Sequence, residues 1–255
     1  MTPHILDAIA RTDKGRVRKS NEDAYRLLSE YGVVVLADGM GGHRAGEVAS
    51  GMAVQIVSDL LVTQLRQAVD NASATQEWLQ QAVMMANQAI FDASEQSSEC
   101  MGMGTTVVVG LFAENRLFYA HVGDSRLYLL RDGRLKQLTQ DHTMLQFLLD
   151  QGVFKSQRDA RAAGISSNKL MRAVGLDIEV AVDSAEIELE PGDIYLFCSD
   201  GLTNMVTDGM IGAVIQESLL DLPYATGLLL ELAIRQGGTD NITLVLARPD
   251  ASVSE

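Results

Sequence analysis

Four short segments each set a carboxylate beside a glycine or a small polar residue: Asp38-Gly39-Met40-Gly41-Gly42-His43, Gly123-Asp124-Ser125-Arg126, Ser199-Asp200-Gly201 and Asp240-Asn241-Ile242-Thr243. A companion, Asn21-Glu22-Asp23, stands upstream of the first. Taken singly, each reads as a turn, because Asp, Asn and Gly suit tight backbone geometry. Their neighbours give three of them more weight. Apolar runs at residues 33–36, 117–122 and 194–198 lead into Asp38, Asp124 and Asp200, so three strands each deliver a carboxylate to a strand end. Carboxylates gathered at one end of a sheet repel one another and resist loss of water, and bound divalent cations are the natural compensation. Hard oxygen ligands select Mg²⁺, Mn²⁺ or Ca²⁺ over zinc.

The elements that must hold these groups are legible from periodicity. Further strands are expected at 105–111, 127–130 and 242–246, and Asp132-Gly133 reads as a tight hairpin turn between 127–130 and 135–138. Residues 186–190 alternate strictly before Pro191-Gly192-Asp193, which predicts a strand solvated on one face, or an edge strand. Helical spacing runs through 45–65, with Val48, Met52, Ile56 and Leu60, and through 76–94, with Leu79, Val83, Ala86 and Ile90. Later helices are expected at 143–151, 207–218 and 223–235, and 155–168 is the least regular stretch. Strands and helices do not alternate one for one, so the class is α+β.

Composition bounds the rest. A 255-residue chain with 47% hydrophobic content can bury one large core, expected over residues 1–248, with 249–255 as a disordered acidic tail. A net charge of −14 argues against a nucleic-acid partner. The first 23 residues carry charge throughout, and no stretch is read as reaching the ~18–20 apolar residues of a membrane span. With two cysteines, Cys100 and Cys198, there is no disulfide framework, and a reducing cytoplasm is the expected setting.

The ordered series Arg18-x-x-Asn21-Glu22-Asp23, Asp38-Gly39-Met40-Gly41-Gly42, Gly104-Thr105-Thr106, Gly123-Asp124-Ser125-Arg126, Ser199-Asp200-Gly201 and Asp240-Asn241 resembles the bacterial branch of the PPM (type 2C) metal-dependent serine/threonine protein phosphatases. The resemblance implies two antiparallel β-sheets packed as a sandwich and flanked on both sides by antiparallel helix pairs, a four-layer αββα architecture. It implies two tightly bound Mn²⁺ or Mg²⁺ ions that activate water to hydrolyse phosphoserine and phosphothreonine. Carried over by motif, Asp38 bridges the two ions, Asp200 and Asp240 hold one, and the Gly39 carbonyl binds the other. Glu22 and Asp23 orient metal-bound waters, and Arg18 grips the substrate phosphate, as its two-pronged guanidinium suits. A weaker third ion falls to Asp124 with Asp200. Many relatives have another Asp four residues after the Ser-Asp-Gly aspartate where this chain has Asn204, so millimolar affinity is expected there. Relatives that use a general-acid histidine after the Asp-Gly pair differ from this chain, which has Met40. That leaves His43 or a metal-bound water as proton donor; His121 reads as a hydrogen-bonded core residue and His4 has no visible companion.

The resemblance also implies phosphoprotein substrates, an opposing Ser/Thr kinase and a monomeric state, with no membrane and no nucleic acid involved. Residues 142–172 match the family's variable flap. Between residues 153 and 172, five basic residues, Lys155, Arg158, Arg161, Lys169 and Arg172, face one acidic residue, Asp159. Lys155, Arg158 and Arg161 are candidates to attract acidic or multiply phosphorylated segments; the plain alternative is a solvated helix face with a structural Arg172. Here Ala162-Ala163-Gly164-Ile165-Ser166-Ser167 replaces the usual His-Pro pair. Other phosphoryl chemistries find no support. Six residues after Cys100 and Cys198 stand Thr106 and Asn204, not the Arg of a cysteine phosphatase. Histidine-rich phosphoesterase motifs, Asp-x-Asp and a P-loop are all absent. The rival readings are a catalytically weak relative acting as a phosphoprotein-binding or sensing module, and a phosphatase for small esters.

Overall fold

A computed structural model describes residues 3–41, 45–67, 75–166 and 169–250. The strands are β1 (Leu6–Asp13), β2 (Asp23–Leu28), β3 (Val33–Met40), β4 (Gly104–Thr105), β5 (Val107–Ala113), β6 (Arg116–Val122), β7 (Arg126–Arg131), β8 (Arg134–Gln137), β9 (Asp183–Glu188), β10 (Ile194–Cys198) and β11 (Ile242–Pro249). The helices are α1 (Ala45–Gln67), α2 (Thr75–Gln96), α3 (Met144–Asp150), α4 (Gln157–Ala162), α5 (Asp200–Thr203), α6 (Asp208–Glu217) and α7 (Leu222–Arg235). One sheet runs β1-β11-β10-β7-β8 and the other β2-β3-β5-β6-β9, with β4 added to the end of β3. Every ladder in both sheets is antiparallel.

The sheets pack face to face. Val34, Leu36, Val108, Phe112 and Leu117 of one meet Leu127, Leu129, Tyr195, Phe197 and Val245 of the other. On the outer faces, Val33, Val35, Val107 and Val109 lie under α1 and α2, while Tyr128, Leu196, Leu244 and Leu246 lie under α6 and α7. This is the four-layer αββα arrangement. Strands covered on both faces need no polar side, which is why 33–36 and 194–198 are continuous apolar runs. At the sheet edge, β9 keeps its alternation because it pairs only with β6 and leaves Glu186 and Glu188 in solvent.

Several expectations are revised. In α1 the buried stripe is Ala49, Ala53, Val57 and Leu61; Met52, Ile56 and Leu60 flank it and Val48 is exposed. The helix lies so close to β3 that a Cβ on Gly39 would stand 2.1 Å from the Gly46 carbonyl oxygen, so small residues take the centre of the contact and larger ones its sides. By length and composition α1 also meets the criterion for a membrane span, with a mean hydropathy of 1.4, which the reading of the sequence did not register. Its apolar side is used against the sheet. Within the stretch expected to be least regular, α4 forms behind an N-cap in which Ser156 accepts the Asp159 N–H. The ladder of β11 continues through Pro249, and the Asp250 N–H donates to the Ile5 carbonyl, so the expected tail begins later than 249. Residues 251–255, Ser167 and Asn168 of the flap, and His43 lie outside the described residues.

Truncation should separate the two stripes of α1. Leu61→Ala should cost about 2–5 kcal/mol in urea unfolding, whereas Val48→Ala should stay within about 0.5 kcal/mol of wild type.

Candidate metal centre

The carboxylates meet because strand register and a few polar clamps leave them no other place. Asp23 opens β2 and is the direct cross-strand partner of Asp38 on β3. Thr105 and Thr106 fix the backbone of Asp38. Its N–H donates to Thr106 Oγ1 at 3.0 Å, and its carbonyl accepts from the Thr106 N–H at 2.8 Å and from Thr105 Oγ1 at 2.9 Å. Thr106 Oγ1 in turn shares a 2.7 Å hydrogen bond with Ser125 Oγ, so the Gly-Thr-Thr and Gly-Asp-Ser-Arg segments are linked through hydroxyls.

Asn241 clamps the loop that carries Arg18 and Glu22. Its amide donates to the carbonyls of Lys14 at 3.0 Å and Ser20 at 2.9 Å, its Oδ1 accepts the Glu22 N–H at 2.8 Å, and its own N–H donates to Asp240 Oδ1 at 2.8 Å. Ser199, on the opposite sheet, donates to Asp23 Oδ2 at 2.9 Å while its Oγ accepts the Thr243 N–H. Asp200 then begins α5 directly above.

The outcome is a cleft of about 230 Å³ lined by Arg18, Glu22, Asp38, Gly39, Asp124, Asp200 and Asp240, with Leu170 at its rim. Asp23 stands behind it, hydrogen-bonded to Ser199. Of the larger hollows, that of about 530 Å³ sets Asp7, Glu190 and Asp250 beside His4 and Arg248, and that of about 680 Å³ has Asp132 among Arg131, Arg134 and Lys136. Arg18 Nη2 reaches Asp240 Oδ2 at 2.7 Å with half its side chain in solvent.

The electrostatics are strained in one direction. Loss of water, then repulsion from Asp23, Asp200, Asp124 and Asp240, holds the Asp38 carboxyl well above the usual range. Burial first and neighbouring carboxylates second push Asp23 and Asp200 up to about 6 and Asp124 to about 7. Burial also raises Glu22, against the opposing pull of Arg18. Asp23 Oδ1 and Asp200 Oδ1 are buried without any hydrogen-bond partner. Orphaned carboxylate oxygens in an all-oxygen donor set fit hard divalent cations.

A second cleft of about 250 Å³ shares Asp124 and Asp200 and adds Asp141, Asn204, Asp208 and Arg161. Asn204 Nδ2 donates to Asp200 Oδ2 at 2.9 Å, taking a lone pair that a further carboxylate would have left free. Of the flap candidates only Arg161, from α4, lines this cleft; Lys155 and Arg158 are exposed and line neither. Arg172 is tied to Asp183 at 2.7 Å, the structural alternative. His121 is a core residue whose Nε2 bonds the Gln140 carbonyl at 2.9 Å, and His4 is buried at the far side, accepting the Asn115 N–H. The sequence reading missed the clamp role of Asn241, the two-pronged Arg126–Asp141 pair at 2.8 and 2.6 Å, and His142. A signal for the last two existed in the polar run Asp141-His142-Thr143 before a helix.

A family model described as Protein phosphatase 2C matches residues 13–212. The serine/threonine phosphatase stp of Listeria monocytogenes serotype 4b is 39% identical over 96% of this chain and 96% of its own length. The crystal structure of the Mycobacterium tuberculosis serine/threonine phosphatase PstP/Ppp superposes with a TM-score of 0.86 at 39% identity, covering 96% of this chain and 99% of that one. The catalytic domain of PstP in complex with two manganese ions superposes at 0.81 and 39% identity, covering 95% of this chain and 97% of that one.

The raised carboxylates fix how stability depends on pH. In the folded, metal-free protein Asp23, Asp124 and Asp200 keep protons up to about pH 6–7, whereas in the unfolded chain they lose them near pH 4. The folded state therefore binds more protons in that window, and stability falls as pH rises through it. Thermal melting in chelator should drop between pH 5 and 7.5, and added Mn²⁺ should raise the midpoint most at the upper end. A metal-free midpoint that climbs across this window would contradict the geometry.

Proposed function

The chain belongs to the protein phosphatase 2C family, and from that premise we propose that it hydrolyses phosphoserine and phosphothreonine on proteins, with Mn²⁺ or Mg²⁺ as cofactor. The observation that carries this reading is the convergence of Asp38, Asp124, Asp200 and Asp240 on one cleft with an arginine at its rim. The manganese complex of PstP is a solved precedent for what such a cleft holds. In this reading Asp38 would serve both ions, Asp200 and Asp240 one of them, and the Gly39 carbonyl the other. Asp124, with Asp200, serves a third and weaker ion. When bound, the ions supply Lewis acidity and a water of lowered pKa.

The protein's own groups do the rest. Arg18, held at the rim by Asp240, offers the remaining edge of its guanidinium to the phosphate oxygens. Glu22 and Asp23 orient water on the carboxylate cluster. Among the described residues no imidazole lines this cleft, and His43, the alternative to a metal-bound water as proton donor, lies outside them. Arg161 beside the second cleft, with Lys155 and Arg158 further out on the flap, draws acidic or multiply phosphorylated segments toward the site. The wider setting of the proposal is a monomer in the cytoplasm, with a Ser/Thr kinase supplying the phosphates it removes.

Excess chelator should abolish hydrolysis of a phosphothreonine peptide, and Mn²⁺ or Mg²⁺ should restore it; full turnover after verified metal removal would end this reading. Asp38→Asn and Asp240→Asn should each lower kcat/KM at least ~100-fold while the protein stays folded. Reversing the charges of Lys155, Arg158 and Arg161 should reduce kcat/KM on an acidic phosphopeptide, more at low than at high salt, and spare a small aryl phosphate. Equal behaviour on both substrates would make these residues ordinary surface charge.

A further inference from the structure

His121, His142 and Asp183 place a nitrogen or oxygen each within 4.8 Å of one another, which at first sight is a metal site outside the cleft. The hydrogen bonds of His142 rule it out. Its Nδ1 accepts the Gly123 N–H at 3.1 Å, so the ring proton is on Nε2, and Nε2 is the atom that faces Asp183 Oδ2 at 3.2 Å. An Nε2–H has no lone pair for a cation. Burial, with His121 and Arg172 nearby, keeps the ring neutral by pushing its pKa down to about 4.

The same bonds form a chain that ends at the second cleft. Arg172 Nη1 fixes Asp183 Oδ1 at 2.7 Å, Asp183 accepts from His142, and His142 holds Gly123 at both ends, through Nδ1 and through its own N–H on the Gly123 carbonyl at 3.0 Å. Gly123 has a φ of +104°, and a Cβ there would stand 2.6 Å from the Thr106 side chain, so it is a glycine by necessity. It immediately precedes Asp124. The imidazole of His121 stacks on that of His142 at 4.6 Å between centroids and keeps the ring in plane. On the other side, the His142 carbonyl accepts the Met171 N–H at 2.8 Å, next to Leu170 at the rim of the metal cleft.

The geometry points to His142 as a positioning residue that sets the place of Asp124 and fastens the base of the flap to it. This inference rests on the reading of Asp124 as ligand of the outer, weaker ion. A positioning group behind a ligand controls affinity through orientation, and losing one typically costs 10–100-fold.

The test is a Mn²⁺ titration of the full chain followed by water-proton relaxation, which resolves tight from weak classes of bound ion. His142→Gln keeps a donor for Asp183 but removes the acceptor at the Nδ1 position. It should weaken the weak class about 10-fold or more and leave the tight class unchanged. His142→Asn restores an acceptor near Nδ1 but loses the donor to Asp183, and should fall between the glutamine variant and wild type. Asp183→Ala, a partly exposed change at a sheet edge, should move the weak class in the same direction and covers the case in which His142→Gln does not fold. An unchanged weak class in the glutamine and Asp183 variants overturns the inference, as does a joint loss of both classes or failure of His142→Asn to restore part of the binding. Asp124→Asn separates the two levels of argument: if it leaves the weak class intact, the ligand reading itself falls and the inference with it.

Discussion

Everything at the working end of this protein answers to the repulsion among carboxylates that the fold drives together and strips of water. Asp38 meets the charge of Asp23, Asp124, Asp200 and Asp240 at once. In an isolated chain these groups would disperse or protonate; the fold holds them in place and leaves buried oxygens unpaired. Such an arrangement is costly to the folded state and useful only with a countercharge, and divalent cations in an oxygen cage are the form of countercharge its chemistry fits.

The architecture reads as the means of enforcing that proximity. Two sheets packed face to face bring β3 and β6 of one against β10 and β11 of the other, so loops from both sheets open onto the same end. Hydroxyls and amides then fix what strands alone leave loose: Thr106 and Ser125 lock Asp38 to the Asp124 segment, Ser199 holds Asp23, and Asn241 ties the Arg18–Glu22 loop to Asp240. A long apolar helix supports this only because glycine and alanine let it approach β3 closely. The polar clamps are the reason the carboxylates cannot relax away from one another.

Much of this was legible in the sequence because the determining signals are local. Continuous valine runs marked strands covered on both faces, Asp-Gly pairs marked where they end, and the order of six short segments identified the family. What escaped depended on long-range contact. The buried stripe of α1 could not be read from Val48, Met52, Ile56 and Leu60, because closeness to the sheet, not side-chain hydrophobicity, selects Ala49 and Ala53 for the interface. The strands β1 and β2 lack apolar runs and exist because their partners β11 and β3 recruit them. His142 looked like any polar residue before a helix, and only the fold shows that both of its ends grip Gly123.

If buried repulsion is the central constraint, removing one charge should help the empty protein and harm the loaded one. The most direct measurement is the urea unfolding free energy of wild type and Asp38→Asn at pH 7.5, each in chelator and in saturating Mn²⁺. The account predicts that Asp38→Asn is the more stable of the two in chelator and the less stable in Mn²⁺, a crossing of sign between the two conditions. A variant that is less stable in both would show that Asp38 stabilises the fold by ordinary hydrogen bonding, and that the carboxylates are not held together against their own repulsion.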